Sequence, residues 1–250
     1  MTALVTGASG GLGRAAAVAL AVAGHDVGVH FRGDAEGADG TAARVVAAGR
    51  RAATLHADLA VVDAAALDRA VEDLLDACGA AVGTPDVVVL NAAPQDHLPW
   101  DDLDTAGWDA HLVGGLRPTA ALLRRAAARM SAGGVVVVVG SVEGVRATGA
   151  GAAYGATKAA LHHLVATSAH VLGRRGVRVV GAAPGLVARE GLEEAWPDGV
   201  ARWREASALG RPVTADEVAA TVAFLASGGA SGITGTTVTV DAGWSANPAW

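Results

Sequence analysis

The chain has 250 residues, a formal net charge of −6 and a single cysteine. This length fits one large α/β domain or two small ones. The negative charge gives no basic surface that would recruit nucleic acid or an anionic membrane, so neither is expected as a partner. No apolar run approaches the ~20 residues that cross a bilayer. The first predicted strand directly follows Met1, so no targeting segment is expected, and one cysteine fits a reducing cytoplasm.

The N-terminal segment predicts a phosphate-binding turn. An apolar strand at 2–6 is followed by Gly7-Ala8-Ser9-Gly10-Gly11-Leu12-Gly13 and an Ala-rich helix. Free N–H groups at such a helix start attract anions. Gly7 allows the turn, Gly11 allows close backbone approach, and Gly13 allows tight helix packing. The predicted cofactor-binding residues here are Gly7, Ser9, Gly11, Leu12 and Gly13.

The end of the second predicted strand, at 27–31, indicates which cofactor binds. Arg32 stands where an acidic residue would take the ribose 2′-OH of NAD, and an Arg accommodates the 2′-phosphate of NADP. Asp34 comes two residues late, and Arg14 could add a second positive charge. NADP(H) is therefore preferred over NAD(H).

Strands and helices alternate along the rest of the chain, which favours a doubly wound parallel sheet with helices on both faces. Further strands are predicted at 51–57, 86–90, 135–139, 177–183 and 236–240, and further helices at 35–48, 63–77, 105–130, 154–173 and 214–226. Ligands bind such sheets at the carboxyl ends of the strands. Candidate ligand residues that follow strands are Asp58, Leu59, Asn91, Ala92 and Ala93.

Tyr154 and Lys158 are four residues apart, so they share one face of a helix. An ammonium beside a phenol favours phenolate, which lowers the pKa of Tyr154 and makes it a usable acid and base. Ser141 could hold a carbonyl oxygen while charge develops on it. The alternative is a Lys packed on a half-buried Tyr without catalytic use.

Two segments are predicted to border the substrate. Residues 94–104 form a loop with His97 and Trp100, and residues 189–211 form a lid with Trp196 and Trp203. These side chains suggest a fairly large, partly aromatic or acyl-chain substrate. An ordinary pair of surface helices is the alternative for 189–211. Three histidines on the Tyr154 helix lack partners at ligand spacing, so no metal site is predicted.

The chain resembles the classical short-chain dehydrogenase/reductase family, in its 3-oxoacyl-carrier-protein-reductase-like branch, over nearly its whole length. The matching motifs are Thr6-Gly7-x-x-x-Gly11-x-Gly13, Asp58, Asn91-Ala92-Ala93, Ser141 with Tyr154 and Lys158, Pro184-Gly185, Gly235 and Asp241-Ala242-Gly243. The resemblance implies a single Rossmann domain over 1–250 with a seven-stranded parallel sheet. It also implies a homo-oligomer, a tetramer or dimer paired partly through the Tyr154 helix.

The resemblance further implies roles for single residues. Tyr154 gives a proton to the substrate oxygen, Lys158 lowers the pKa of Tyr154 and holds the nicotinamide ribose, and Ser141 orients the carbonyl. Pro184, Gly185 and Val187 join Tyr154 and Lys158 among the cofactor-binding residues. The expected activity is NADPH-dependent reduction of a ketone, of 3-oxoacyl or polyketide-like aromatic type.

The chain departs from the family pattern at two positions. Gly115 stands where the family has a catalytic Asn, and Arg189 stands where it often has a Thr that contacts the cofactor. The missing Asn keeps a non-redox enzyme on the same scaffold open, such as a cyclase, dehydratase or epimerase. A cofactor-binding module that has lost its chemistry is the third reading.

Overall fold

The computed structural model describes residues 1–148 and 151–247. Within these residues, seven strands form one parallel sheet in the order β3-β2-β1-β4-β5-β6-β7. The strands are β1 Thr2–Val5, β2 Asp26–Phe31, β3 Ala52–His56, β4 Val87–Leu90, β5 Val135–Val139, β6 Arg178–Pro184 and β7 Thr237–Val240. Residues 149–150 and 248–250, which the single-domain prediction includes, lie outside the described residues.

The helices alternate with the strands, as predicted. They are α1 Gly11–Val22, α2 Ala35–Ala47, α3 Ala64–Ala81, α4 Thr105–His111, α5 Arg117–Arg129, α6 Ala152–Leu172, α7 Leu192–Ala195, α8 Pro197–Ala206 and α9 Ala215–Ala226. No helix in the described part of the chain is long and apolar enough to cross a membrane.

The central strands are apolar throughout because both faces of the sheet are covered. β5 consists of five valines and is buried along its whole length, as expected for a parallel sheet between two helical layers. Leu122 of α5 and Leu161 of α6 belong to the core on one face. Leu20 of α1 and Leu225 of α9 belong to the core on the other. The predicted Rossmann fold with its doubly wound seven-stranded parallel sheet is confirmed.

The strand order places the ligand crevice. β1 pairs with β2 on one side and with β4 on the other, so the chain changes winding direction between β1 and β4. Ligands of open α/β sheets bind at such a point, beyond the carboxyl ends of the strands. The turns after β1, β4 and β5 therefore border one crevice.

The helix expected at 105–130 is not continuous. The chain forms α4, a π-helical turn at Leu112–Leu116, and then α5. Gly114 and Gly115 lower the helix propensity, and Pro118 has no N–H to donate to the carbonyl of Gly114. Such π-helical turns are frequent at functional sites, and this one lies beside the Tyr154 helix.

Candidate active site

The turn between β1 and α1 is fixed tightly to the end of β4. Gly7 and Gly11 adopt positive φ angles of 62° and 51°, a conformation that favours glycine. A Cβ added at Gly13 would lie 2.1 Å from the Gly7 carbonyl oxygen. The Asn91 side-chain amide donates to the carbonyl oxygens of Thr6 and Gly7, at 3.0 and 3.1 Å. The glycines and Asn91 therefore build one rigid turn.

This turn suits the phosphates of a dinucleotide. Helices α2, α3 and α9 begin with a side-chain cap from Asp34, Asp63 or Thr214, whereas the N-cap of α1 is Gly10, which has no side chain to accept a hydrogen bond. Its first N–H groups thus remain available for an anion. A Cβ added at Gly10 or Gly11 would meet no atom within 4 Å, so the space in front of the helix is open. Ser9 and Leu12 lie in the same turn.

The segment directly after β2 carries a positive charge, and no acidic residue stands at the end of the strand to accept a ribose hydroxyl. Arg32 is exposed directly after β2. The nearest acid in sequence, Asp34, accepts the Gly37 N–H at 2.9 Å and caps α2. Arg14 is already engaged, since its Nε donates to Thr41 Oγ1 at 3.0 Å and its Nη2 donates to the Ser9 carbonyl. Arg32 is therefore the better candidate to pair with a 2′-phosphate, whereas Arg14 stabilises the glycine turn after β1.

His30 was missed by sequence reasoning. Its Nδ1 accepts the Gly7 N–H at 3.2 Å, and its Nε2 lies 3.1 Å from the Ala57 carbonyl oxygen. Burial lowers the pKa of His30 to about 4, so the ring is neutral with the proton on Nε2. A neutral histidine thus ties the glycine turn to the end of β3, and only its place at the end of β2 could have signalled this.

The other predicted cofactor residues lie at the carboxyl ends of strands or in the turns that follow them. Ala92 donates its N–H to Thr6 Oγ1 at 3.1 Å, and Asp58 accepts the Ala60 N–H at 2.9 Å. The Gly185 N–H donates to the Val240 carbonyl at 2.9 Å, which fixes the turn after β6. The remaining predicted residues, which are buried or half-buried at these strand ends, are Leu59, Ala93, Pro184 and Val187.

Ser141, Tyr154 and Lys158 come together as predicted. Ser141 follows β5, and a side-chain hydrogen bond joins it to Tyr154 on α6. The Lys158 ammonium lies 5.4 Å from the centre of the Tyr154 ring and donates to the Val139 carbonyl oxygen at 3.0 Å. All three side chains are buried. A hydroxyl, a phenol and an amine therefore meet at the carboxyl end of β5.

The expected lowering of the Tyr154 pKa by Lys158 is wrong for this structure. Burial raises the pKa of Tyr154, the hydrogen bond from Ser141 opposes this, and the charge of Glu143 raises the pKa further. Burial also lowers the pKa of Lys158 to about 8. Burial disfavours both the phenolate and the ammonium, and it is the largest cause of each shift.

Gly115 faces the Tyr154 helix from the π-helical turn. A Cβ added there would lie 3.2 Å from Thr157 Cγ2, and its carbonyl accepts the Thr119 hydroxyl at 2.7 Å. One turn earlier, His111 is buried with its ring edge toward Tyr154, at 6.0 Å between ring centres. The position expected for an Asn amide thus contributes only backbone, and an imidazole lies nearby. Sequence reasoning missed His111.

The ring of His97 packs against the ring of Tyr154. Its ring centre is 4.6 Å from that of Tyr154, and its Nε2 is 3.2 Å from Glu143 Oε1. The rim position predicted for His97 is consistent with this contact. Sequence reasoning did not predict Glu143 as a site residue, although its position two residues after Ser141 could have indicated it.

The tryptophans of the predicted rim differ in their surroundings. Trp100 is 74% exposed and Trp196 48% exposed. Trp203 of α8 instead packs against Gly185 and stacks on Trp244, at 4.9 Å and an interplanar angle of 6°. Residues 189–211 therefore contain two short helices, α7 and α8, of which α8 rests on the turn after β6. Arg189 is exposed just before α7.

A cavity of about 420 Å³ adjoins the site on the Glu143 side. Trp100 and Arg146 line it together with Gly155 and Ala159 of α6. None of the three predicted catalytic side chains lines it. Among the residues that the structure describes, no group of three or more His, Cys, Asp or Glu side chains could hold a metal ion.

Comparison with known proteins identifies the family. A family profile described as Enoyl-(Acyl carrier protein) reductase matches residues 7–245. Cis-4-hydroxycyclohexanecarboxylate dehydrogenase of Sinomonas cyclohexanicum is 34% identical over 248 residues, which is 98% of this chain and 96% of that protein.

Two solved structures share the fold over almost their whole length. A short-chain dehydrogenase from Burkholderia cenocepacia J2315 in complex with NADP is 34% identical, with a TM-score of 0.88 and coverage of 98% of this chain and 97% of that one. The promiscuous reductase LugOII, which catalyses keto-reduction at C1 during lugdunomycin biosynthesis, is 32% identical, with a TM-score of 0.89 and coverage of 97% of both chains. The chain belongs to the short-chain dehydrogenase/reductase family, whose members are oxidoreductases that use a nicotinamide cofactor.

Proposed function

We propose that this protein is an NADPH-dependent reductase that converts a ketone into an alcohol. The observation that carries the proposal is the buried group of Ser141, Tyr154 and Lys158 at the carboxyl end of β5, at the same edge of the sheet as the open glycine turn after β1. The relatives named for dehydrogenation of a hydroxycyclohexane acid and for keto-reduction support the same type of reaction.

Tyr154, Ser141 and Lys158 each have a separate role in the proposed reaction. The bound cofactor supplies the hydride. A phenol is protonated at neutral pH and burial raises the pKa of Tyr154 further, so Tyr154 can donate its proton to the developing alkoxide. Ser141 gives a second hydrogen bond to that oxygen. We propose that Lys158, whose pKa is lowered by burial to about 8, holds a ribose hydroxyl and returns a proton to Tyr154.

Preference for NADPH over NADH rests on Arg32. It is exposed at the end of β2, while the carboxylate of Asp34 is used to cap α2. An arginine there pairs with a 2′-phosphate. The NADP complex of the Burkholderia cenocepacia relative supports this choice.

The substrate we propose is a 3-oxoacyl or polyketide-like aromatic ketone. It would lie between the loop with His97 and a lid formed by residues 189–211 of a single-domain chain. We further propose a homo-oligomer, a dimer or tetramer, that works in the cytoplasm. The free and buried thiol of Cys78 is compatible with that reducing compartment.

A ketone panel tests the proposal. The native protein should consume NADPH faster than NADH with at least one ketone, and Tyr154→Phe should abolish turnover while NADPH still binds. Turnover retained in Tyr154→Phe would overturn the mechanism.

A non-redox enzyme on this scaffold is the second candidate, favoured by one observation. Gly115 supplies no side chain beside Thr157, so the usual amide for proton relay is missing. Product formed without net NADPH oxidation would establish this alternative.

A further inference from the structure

The side chain of His30 holds the first glycine of the turn after β1. His30 lies on β2 and is only 2% exposed. Its Nδ1 accepts the Gly7 N–H at 3.2 Å, and its backbone carbonyl accepts the Ala8 N–H at 2.8 Å. Two successive N–H groups of the turn therefore both bond to one residue of the neighbouring strand.

The peptide groups of Gly7 are held from two sides. The Asn91 side-chain amide donates to the Gly7 carbonyl at 3.1 Å, while His30 accepts the Gly7 N–H. Gly7 adopts a φ of 62°, and glycine moves readily between backbone conformations when nothing holds it. A buried N–H without an acceptor is also unfavourable. The imidazole of His30 therefore restricts Gly7 before any cofactor binds.

The carbonyl of Ala57 determines which ring nitrogen of His30 faces Gly7. This oxygen lies 3.1 Å from Nε2 and can only accept, so Nε2 carries the proton and Nδ1 keeps its lone pair for the Gly7 N–H. A hydrogen bond at one imidazole nitrogen fixes the role of the other in this way. Because β2 lies between β1 and β3, a side chain on β2 is suited to make both contacts.

We propose that His30 is a positioning residue for the nicotinamide cofactor, whose neutral ring holds Gly7 in the conformation that the cofactor phosphates require. This inference rests on the proposed function, in which a dinucleotide binds at this turn. The gain in affinity comes from a turn that is ordered before binding. The proposed acid–base group lies at the end of β5, beyond β1 and β4. His30 should therefore affect cofactor affinity and leave the chemical step unchanged.

Two variants separate the hydrogen bond from the bulk of the ring. His30→Phe keeps a planar ring but has no acceptor, whereas His30→Asn places an amide oxygen near the position of Nδ1 and keeps an acceptor for Gly7. In fluorescence titrations, His30→Phe should weaken the binding of NADPH and of NADH about tenfold, because both carry the same pyrophosphate. His30→Asn should bind both within about threefold of the native affinity.

A second measurement needs neither cofactor nor substrate. Exchange of the Gly7 amide hydrogen with solvent, followed by NMR in the cofactor-free protein, reports how firmly this N–H is held. Exchange should be about tenfold faster in His30→Phe than in the native protein, and slow again in His30→Asn. Unchanged exchange in His30→Phe would show that the ring does not hold Gly7 and would overturn the inference.

His25 provides a matched control. It is a second buried histidine, and it directly precedes β2 at the opposite end of that strand. His25→Phe should leave both cofactor affinity and Gly7 exchange unchanged. Circular dichroism establishes that each variant is folded, and His30→Leu takes the place of His30→Phe if the latter does not fold. Affinity that falls equally in His25→Phe, or that is no better in His30→Asn than in His30→Phe, contradicts the positioning role.

Kinetics distinguish this inference from the proposed reaction. With any ketone that is reduced, His30→Phe should raise the KM for NADPH about tenfold and leave kcat at saturating NADPH within about twofold. A lower kcat with an unchanged KM would refute a role in cofactor binding. If no ketone is reduced, the reductase proposal fails, whereas the affinity and exchange measurements still decide the role of His30. A native protein that binds neither NADPH nor NADH would overturn both.

Discussion

A methyl group added at Gly13 is expected to break the cofactor turn. The Cβ of Gly13→Ala would lie 2.1 Å from the Gly7 carbonyl oxygen and 2.7 Å from Asn91 Nδ2. Non-bonded carbon contacts settle near ~3.5–4 Å, so the turn must move by more than about 1 Å. That movement separates α1 from the end of β1 and disturbs the two hydrogen bonds from Asn91.

The expected cost follows from those two effects. Overpacking of this kind costs ~1–3 kcal/mol, and each weakened hydrogen bond costs about 1 kcal/mol. With two such bonds, we therefore expect Gly13→Ala to lose roughly 3–5 kcal/mol of unfolding free energy, measured by urea titration. NADPH affinity, measured by fluorescence titration, should fall at least about tenfold, because ~1.4 kcal/mol of distortion at the binding turn is enough for that change.

Gly10 offers a matched control three residues away. Its backbone is extended, with φ −162°, and an added Cβ would meet no atom within 4 Å. Gly10→Ala should therefore change stability by less than about 1 kcal/mol, the usual effect of altering a helix cap. If Gly13→Ala unfolds and binds NADPH like Gly10→Ala, the steric reasoning is wrong.

Three further predictions concern charge and space at the site. Lys158→Met should raise the unfolding free energy by up to about 3 kcal/mol at neutral pH. This gain should vanish between about pH 8 and 10.5, because the folded protein releases the Lys158 proton at about 8 and the unfolded chain at 10.5. A gain that grows with pH in urea titrations across this range would contradict the burial argument. Arg32→Ser should weaken NADPH binding about tenfold or more and leave NADH binding nearly unchanged. Equal losses of affinity for both cofactors in fluorescence titrations would show that Arg32 does not bind the 2′-phosphate. Gly115→Asn should fold with a loss of ~1–3 kcal/mol, because its Cβ would lie 3.2 Å from Thr157 Cγ2 and that methyl group must shift. A protein that fails to fold would show that the space beside Gly115 is closed.

Residue patterns were sufficient to predict the sheet and the grouping of Ser141, Tyr154 and Lys158. Apolar runs such as the five valines of β5, followed by polar or glycine residues, predict buried parallel strands with their ligand ends aligned. The i, i+4 spacing of Tyr154 and Lys158 predicts one helix face, and the structure places Ser141 beside them.

Contacts between distant segments of the chain could not be predicted from the sequence. His97 meets Glu143 across 46 positions, and His30 meets Gly7 across 23. Both contacts depend on how loops fold against the sheet, which local periodicity does not encode. The pKa of Tyr154 was misjudged for the same reason: spacing shows a neighbouring Lys158 but not the loss of water around both groups.

The break after α4 was foreseeable in part. Gly114, Gly115 and Pro118 were visible within the stretch expected as one helix, and each disfavours regular α-helix. The prediction of one continuous helix follows from the length of the apolar pattern alone. The resulting π-helical turn places Gly115 opposite Thr157.

The most direct test of the proposed reaction follows the transferred hydrogen. NADPH labelled with deuterium at the transferable position of its nicotinamide ring is incubated with the purified protein and a ketone, and the product is analysed by mass spectrometry. The proposed mechanism predicts one deuterium on the carbinol carbon with the native protein, and no product with Tyr154→Phe although that variant binds NADPH. Product without deuterium, or labelled product from Tyr154→Phe, would contradict hydride transfer with Tyr154 as the proton donor.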